Sequence, residues 1–219
     1  MNLFEHLRTH FPADPDRAVI RTAAGDELSY GWLNRRSAGF AEALGAMEVA
    51  ERGVVAVQVD KCPDFLALYL AVLRSGRVFL PLNPTYTAAE VEYFLADAHA
   101  GLLVCQPERS SEMETVAGRV GTANLLTLGT EGGGTLVERA EQTSAPGSAR
   151  AVMPRDDGQA AVLLYTSGTT GKPKGAVLSH GNVRAMIDGL HTFWGWSGDD
   201  VLLHALPLFH IHGLFVDVK

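Results

Sequence analysis

Residues 165–175 read Tyr-Thr-Ser-Gly-Thr-Thr-Gly-Lys-Pro-Lys-Gly and separate two apolar runs, 160–164 and 176–178. This pattern predicts a strand, a polar glycine-rich loop and a second strand. Its glycines permit positive φ angles and a close approach of the backbone to an anion, its hydroxyl side chains donate hydrogen bonds, and its two lysines supply positive charge. The stretch therefore has the chemistry of a loop that binds a polyphosphate.

The loop is not a Walker A motif. A Walker A motif ending at Gly171-Lys172 would need Gly at position 166 and Ser or Thr at position 173, where Thr166 and Pro173 stand. A solvated surface turn is the structural alternative, although the length and the Gly, Thr and Lys content exceed what a turn needs.

The same residues resemble the signature of the adenylate-forming enzymes, the superfamily of acyl-CoA synthetases, luciferases and nonribosomal adenylation domains. Two further segments, 28–33 and 69–83, are similar to a strand-helix pattern and to a core motif of that family. The resemblance implies that the loop holds the β- and γ-phosphates of ATP, with Lys174 as a catalytic residue and Thr170 at the Mg²⁺ ion. The phosphate-binding residues implied are Thr166, Ser167, Gly168, Thr169, Thr170, Gly171 and Lys174.

A second informative stretch, residues 201–213, reads Val-Leu-Leu-His-Ala-Leu-Pro-Leu-Phe-His-Ile-His-Gly. We expect a strand that ends at Pro207. In an extended segment His210 and His212 would point the same way, so a shared metal is one hypothesis, although no third ligand is visible nearby. The segment also resembles a family motif in which the first of these histidines lines the pocket for the acyl group and the adenylate. The resemblance makes His210 a candidate catalytic residue, and the variant looks most like malonyl-CoA synthetases.

Strands and helices alternate between residues 54 and 105, which predicts an α/β fold built from layered βαβ units, with mostly parallel sheets flanked by helices. The expected strands are 53–59, 78–82 and 102–105, and the expected helices are 64–75 and 88–99. Before them we expect a short helix up to Pro12, a strand at 18–20 and a helix from Trp32 that ends near Gly45. The apolar positions of helix 64–75 extend too far round its axis for a surface helix, which indicates burial on both sides.

Residues 106–159 are less informative. A strand at 125–128 is expected, and segments 129–134 and 143–158 are interpreted as surface loops, the second being a hinge or, alternatively, a domain linker. After the phosphate loop, Ser179 is expected to cap a helix.

Five side chains outside the two motifs need an interpretation. His180 is expected to be a hydrogen-bonding residue at a helix start, with a catalytic role as the alternative. Trp194 and Trp196 are expected in the core, with adenine stacking as the alternative. Cys62 and Cys105 are interpreted as small core residues of a reduced protein.

The composition limits the function classes. The chain has 219 residues with 25 acidic and 18 basic side chains, a net charge of −7, so the electrostatic footprint of a nucleic-acid-binding protein is missing. No apolar run reaches the ~20 residues of a membrane span, and the first residues lack the layout of a signal peptide. We therefore expect a cytoplasmic enzyme.

The resemblance implies an ATP-dependent, AMP-forming acid–thiol ligase that uses a small carboxylic acid, ATP with Mg²⁺, and CoA. A fatty acyl-CoA synthetase, a carrier-loading adenylation domain and a non-catalytic nucleotide-binding fragment stay open. The resemblance covers residues 1–219 as the N-terminal part of a large AMP-binding domain. The rest of that domain and the small C-terminal domain of the family would follow Lys219. We therefore expect an incomplete domain that has no complete catalytic cycle by itself. Its unpaired edge should make it prone to aggregation or dependent on a partner fragment, such as the missing C-terminal part.

Overall fold

The computed structural model describes residues 1–47, 49–143, 151–166 and 172–216. Seven helices and eight strands are found in these ranges, together with a 3₁₀ turn at Pro107–Arg109 and a π-helical turn at His212–Val216. The elements are, in chain order, α1 (Leu3–Arg8), β1 (Ala18–Arg21), β2 (Glu27–Ser29), α2 (Tyr30–Gly45), β3 (Val54–Gln58), α3 (Pro63–Arg74), β4 (Val78–Pro81), α4 (Ala88–Asp97), β5 (Ala100–Cys105), α5 (Ser110–Val120), β6 (Asn124–Thr127), α6 (Thr135–Thr143), β7 (Ala160–Thr166), β8 (Lys174–Ser179) and α7 (His180–Trp194).

A six-stranded sheet in the order β6-β5-β3-β4-β7-β8 forms the centre of the molecule. Its first five strands are parallel, and β8 returns antiparallel to β7 at one edge. β3 lies inside the sheet because its β-branched residues are apolar on both faces, which suits a strand covered on both sides. The predicted α/β fold with a mostly parallel sheet is confirmed.

Helices cover both faces of this sheet. Helices α1, α2, α3, α6 and α7 pack on one face and form the main core, while α4 and α5 pack on the other face and form the second core. The apolar surface of α3 extends round the helix axis because α3 contacts β4 on one side and α1 and α2 on the other. The predicted burial of this helix between two layers is confirmed.

Most expected elements are present with boundaries shifted by a few residues. The first helix ends at Arg8, before Pro12, and β1 pairs with β2 in a separate two-stranded sheet. The predicted cap at Ser179 is also present: its Oγ accepts a hydrogen bond from the Asn182 N–H over 3.1 Å, and the Asn182 side chain accepts the Ser179 N–H. This reciprocal pair satisfies two backbone groups that a helix start leaves open.

The region 106–159 contains two helices that were not predicted. Helix α5 buries Met113, Val116 and Ala117, and α6 buries Leu136, Val137 and Ala140. Residues 151–158 are also fixed to the domain and are more than a surface loop. The buried Arg155 donates from Nε to the Gly76 carbonyl over 3.0 Å, and the Met153 N–H donates to the Arg74 carbonyl over 2.9 Å.

Two expectations for the last part of the described chain were wrong. Residues 201–207 form no strand, since no neighbouring strand edge among the described residues pairs with them and Val201 and Leu203 are 81% and 91% exposed. Trp194 is 46% exposed and packs against Trp196 at a ring distance of 6.2 Å, so it is not a core residue.

The cysteines behave as core residues. Both thiols are free and buried, and burial raises the pKa of Cys62 to about 11 and that of Cys105 to about 12. Their thiolate forms are therefore suppressed, as expected for structural cysteines. None of the helices in the described part of the chain is both long and apolar enough to cross a bilayer.

His180 connects the N-terminal helix to the sheet. Its side chain is completely buried, and Nδ1 accepts a hydrogen bond from the backbone N–H of Leu3 over 3.0 Å. Because Nδ1 is the acceptor, the neutral ring carries its proton on Nε2. This geometry supports the expected structural role of His180 at the start of α7.

Acidification is expected to destabilise the protein through His180. Burial, with Arg155 and the N-terminal amine as lesser causes and Asp157 opposing them, lowers the pKa of His180 from 6.5 to about 4. Between these pH values the unfolded chain binds a proton that the folded chain does not bind. The stabilising contribution is therefore complete above pH 6.5 and declines as the pH falls toward 4. We expect a loss of roughly 2–3 kcal/mol between pH 7 and pH 4.5, less than the full shift implies because the folded ring itself begins to bind a proton as the pH nears 4.

Urea unfolding of the wild type and of His180→Asn across this pH range measures that loss. Asparagine retains an acceptor for the Leu3 N–H but does not titrate, so the free-energy difference between the two proteins isolates the histidine. Two stability curves that run parallel from pH 7 to pH 4.5 would contradict the assignment.

Candidate functional site

The β7–β8 hairpin carries the ends of the predicted phosphate loop. Thr166 and Lys174 are direct cross-strand partners at its open end. Strand side chains alternate between faces, and Val162 and Leu164, which lie on the same face as Thr166, pack in or against the main core. Thr166 and Lys174 therefore lie on the face of the sheet that carries α7, and both are exposed.

Five of the predicted phosphate-binding residues lie outside the described residues: Ser167, Gly168, Thr169, Thr170 and Gly171. The roles assigned to them, including Mg²⁺ contact by Thr170, stay predictions. The two flanking residues, Thr166 and Lys174, are direct cross-strand partners, so the ends of the predicted loop lie close together.

Gly175 serves a different purpose from the one expected of the loop glycines. It has no positive φ angle and lies in β8 directly opposite Tyr165. A Cβ atom at this position would lie 3.1 Å from Leu163 Cδ1 and 3.5 Å from Tyr165 Cζ. The glycine therefore leaves room for the Leu163 side chain, whereas the Tyr165 ring would meet a Cβ atom only at an ordinary contact distance.

The 204–213 segment is a closed turn. The His210 N–H donates to the Pro207 carbonyl over 3.3 Å, and His204 Nε2 donates to the Gly213 carbonyl over 2.7 Å. Any Cβ on Gly213 would overlap the Pro207 carbonyl, so this position requires glycine. Lys61, which follows β3, donates from Nζ to the carbonyls of His204 and Leu206 and attaches the turn to the sheet.

His210 is brought to the sheet by this turn. Its ring is tilted by 39° against that of Phe209 with centroids 4.7 Å apart, and Leu208, two residues earlier, is anchored in the main core. The premise of the metal hypothesis was wrong, because His212 begins a π-helical turn and the two histidines do not share an extended segment. In the described ranges, no three or more His, Cys, Asp or Glu side chains cluster in a way that could hold a metal ion.

A cavity of about 90 Å³ lies where β4 and β7 end. Its lining combines the residues after β4, the end of β7 and the 204–213 turn: Pro81, Leu82, Asn83, Tyr86, Leu164, Tyr165, Phe209 and His210. The carboxyl ends of parallel strands are where open α/β sheets bind ligands. The structure thus brings His210 and the first stem of the phosphate loop to one cavity.

Asn83 and Tyr86 were not predicted at the site. The Asn83 side chain accepts the N–H of Thr85 over 3.0 Å, and fully buried Gln58 at the end of β3 donates to the Tyr86 carbonyl over 3.0 Å. An Asn-Pro turn directly after a buried parallel strand was the available signal, since that position faces the ligand edge of a sheet.

Comparison with known proteins decides the family. The sequence matches the model of the family described as AMP-binding enzyme over residues 7–218. The chain belongs to the AMP-binding enzyme family. A solved structure of another member, ATP-bound MatB from Rhodopseudomonas palustris, is 42% identical and superimposes with a TM-score of 0.92. That match covers 99% of this chain and 42% of MatB.

Curated members of the family similar to this chain include two CoA ligases. Mitochondrial malonate–CoA ligase ACSF3 of Bos taurus is 37% identical over 151 residues, which cover 69% of this chain and 25% of ACSF3. Indoleacetate–CoA ligase of Aromatoleum aromaticum is 35% identical over 224 residues, which cover 98% of this chain and 42% of that ligase. The chain thus spans less than half the length of each.

Proposed function

We propose that this chain is the N-terminal part of the AMP-binding domain of an AMP-forming acid–thiol ligase, and that it contributes the ATP phosphate loop and one wall of the acyl pocket. The observation that carries the proposal is the hairpin of β7 and β8, where Thr166 faces Lys174 beside the cavity lined by His210. The sequence of the loop and the likeness to ATP-bound MatB support ATP as its ligand.

The proposed reaction has two steps. A carboxylate is a poor electrophile, so its oxygen first attacks the α-phosphorus of ATP, and pyrophosphate leaves as acyl-AMP forms. The thiolate of CoA then attacks the acyl carbon, and AMP leaves as the thioester forms. This chain contributes to the first step, where the ammonium group of Lys174 and the hydroxyl of Thr166 stabilise charge on the departing pyrophosphate. Mg²⁺ enters bound to ATP, with Thr170 as its proposed contact.

Malonate or another short acid is the proposed substrate. The support is the 37% identity to malonate–CoA ligase ACSF3 and the His-x-His-Gly form of the turn at 210–213. A fatty acyl-CoA synthetase or a carrier-loading adenylation domain would use the same loop. One of the similar proteins is named for a larger acid, indoleacetate. The acid therefore has to be decided by measurement.

Acid-dependent release of pyrophosphate tests the proposal. We would assay this chain and a completed chimera, in which residues 1–219 replace the corresponding part of R. palustris MatB, with malonate, acetate and a long-chain fatty acid. Activity of the chimera with malonate as the best acid is the expected result, together with ATP binding by the chain itself. An inactive chimera, with no ATP binding by the chain, would overturn the ligase proposal and leave a non-catalytic role.

His210→Ala in the completed chimera is expected to raise the KM for the acid by about tenfold, the effect of losing one hydrogen bond to a charged group. The KM for ATP should change by less than about twofold, because His210 lies at the cavity and outside the hairpin. His212→Ala, two residues further on, is the matched control. An unchanged KM for the acid in His210→Ala would remove this residue from the acyl pocket.

A further inference from the structure

Helix α4 is bonded to both strands of the hairpin near its open end. The Tyr93 hydroxyl donates to the Pro173 carbonyl over 2.8 Å, and the Tyr165 hydroxyl donates to Asp97 Oδ2 over 2.6 Å. Pro173 directly precedes Lys174 and Tyr165 directly precedes Thr166. Each bond therefore acts one residue away from a proposed ATP-binding side chain. We call these three side chains, Tyr93, Asp97 and Tyr165, the α4 clamp.

Ring contacts reinforce the α4 clamp. The Tyr165 ring lies 4.7 Å from that of Phe94 and 6.3 Å from that of Tyr93, measured between centroids. Gly175 faces Tyr165 on the opposite strand. Burial and the neighbouring Asp97 carboxylate raise the pKa of Tyr165, so its hydroxyl keeps the proton that it donates.

The helix is itself fixed to the sheet. Thr87 and Glu90 form a reciprocal cap at its start, and the Tyr86 carbonyl just before it accepts hydrogen bonds from Gln58 and from Arg109. Gln58 is fully buried at the end of β3, in the middle of the sheet. The sheet therefore fixes the position of α4, and α4 in turn fixes the open end of the hairpin through its hydrogen bonds.

Other contacts hold the open end of the hairpin weakly. β7 is registered with β4 at Val162 and Phe79, four residues before Thr166. β8 is an edge strand whose first four residues are exposed. Without the bonds to Tyr93 and Asp97, Thr166 and Lys174 would sit at the end of a two-stranded ribbon, which has little stability by itself.

We propose that Tyr93, Asp97 and Tyr165 are positioning residues for ATP, which fix Thr166 and Lys174 at the separation that the phosphates require; this rests on the proposed function of the loop. Tyr93 and Asp97 lie outside the cavity proposed for the acid, and the hydroxyl of Tyr165, which lines that cavity, is bonded to Asp97. Its effect is to hold the two stems before ATP arrives, so that binding does not have to order them.

The double variant Tyr93→Phe/Tyr165→Phe tests the clamp because it removes two hydroxyl groups and keeps every ring. The probe is Mg–ATP, titrated into the 219-residue chain. We expect the Kd to rise about tenfold, because ATP binding would then have to order the two stems that these hydrogen bonds otherwise hold in place, with little change in the urea midpoint. Hydrogen exchange should quicken in peptides that cover β7 and β8. In the completed chimera Tyr93→Phe is assayed alone, because Tyr165 lines the cavity proposed for the acid and Tyr93 does not. Its KM for ATP should rise while its KM for the acid stays constant.

Glu92→Gln is the matched control on α4. Its ion pair with Arg119 is exposed and faces α5, so its loss should alter neither ATP binding nor exchange in the hairpin. If the double variant loses solubility, Tyr93→Phe by itself is measured in the same way.

The outcomes separate this proposal from the proposed function. If the wild type binds ATP and the double variant binds it equally well, the clamp has no positioning role. A loss of affinity that is matched by Glu92→Gln, or that follows a general loss of stability, also overturns the clamp. If the wild type binds no ATP, the proposed function of the loop fails and the assignment of the clamp to ATP fails with it. Hydrogen exchange in β7 and β8 would then report only whether α4 orders the hairpin.

Discussion

Replacing Lys174 with alanine is expected to slow acid-dependent release of pyrophosphate by about a hundredfold, the usual effect of removing one preorganised charge from a developing oxyanion. Lys174 lies opposite Thr166 at the open end of the hairpin, and the proposed function assigns its ammonium group to the phosphates of ATP. The completed chimera is the protein to assay. Transfer from supplied acyl-AMP to CoA should keep its rate, because pyrophosphate has already left before that step begins.

Lys172→Ala is the matched control for this prediction. Lys172 carries the same charge and lies two residues before Lys174. Its side chain is exposed, and the residue precedes β8, so it has no cross-strand partner in the described hairpin. A specific role for Lys174 requires that the control slow adenylation far less. Equal losses in the two variants would mean that the loop acts only through its net charge. Equal loss of both half-reactions in Lys174→Ala would mean that the residue supports the structure.

The sheet could be predicted because its strands carry their own signal. The β-branched run of β3 and the apolar run of β4 are buried on both faces, so composition alone marks them. The apolar residues of α3 extend round most of the helix axis, and for the same reason they indicated a helix buried between two layers. Strand order across the sheet could not be read in this way, because β7 inserts beside β4 through contacts between residues far apart in the sequence.

Helices α5 and α6 were missed because each buries only a narrow stripe. In α5, Met113, Val116 and Ala117 follow helical spacing, but charged and hydroxyl residues surround them in the sequence. Before α6, the glycines of segment 129–134 indicate turns and no helix. Arg155 was missed for a different reason. A buried arginine is stable only where carbonyl groups meet it, and the Gly76 carbonyl that accepts its Nε–H comes from a distant part of the chain.

The sequence motifs predict which side chains belong to the candidate site, and the structure shows which other residues hold them in position. Thr166, Lys174 and His210 follow from local motifs, and the structure places His210 at the cavity that the end of β7 lines. Tyr93, Asp97 and Gln58 carry no motif, since they act through single hydrogen bonds to elements that only the tertiary fold brings near. The strand expected at 201–207 failed because a strand depends on a neighbour that its own sequence does not specify.

Phe79→Ala is expected to cost about 3–5 kcal/mol of unfolding free energy, the usual range for removing a fully buried phenylalanine. Phe79 is completely buried in β4, with its ring edge-on to Phe65 at 5.7 Å and to Tyr69 at 5.1 Å. The two aromatic partners belong to α3, so the ring joins the sheet to its most buried helix. A cavity at this point cannot collapse easily, because β3 and β7 hold β4 on both sides.

Urea unfolding followed by circular dichroism measures this loss, with Phe193→Ala as the control. Phe193 is 83% exposed, and its removal should change stability by less than about 0.5 kcal/mol. Since small domains have only ~5–15 kcal/mol in total, Phe79→Ala should unfold at a clearly lower urea concentration. Phe79→Leu should fall between the two, because leucine refills part of the volume. Equal midpoints for Phe79→Ala and Phe193→Ala would contradict the placement of Phe79 at the junction of β4 and α3.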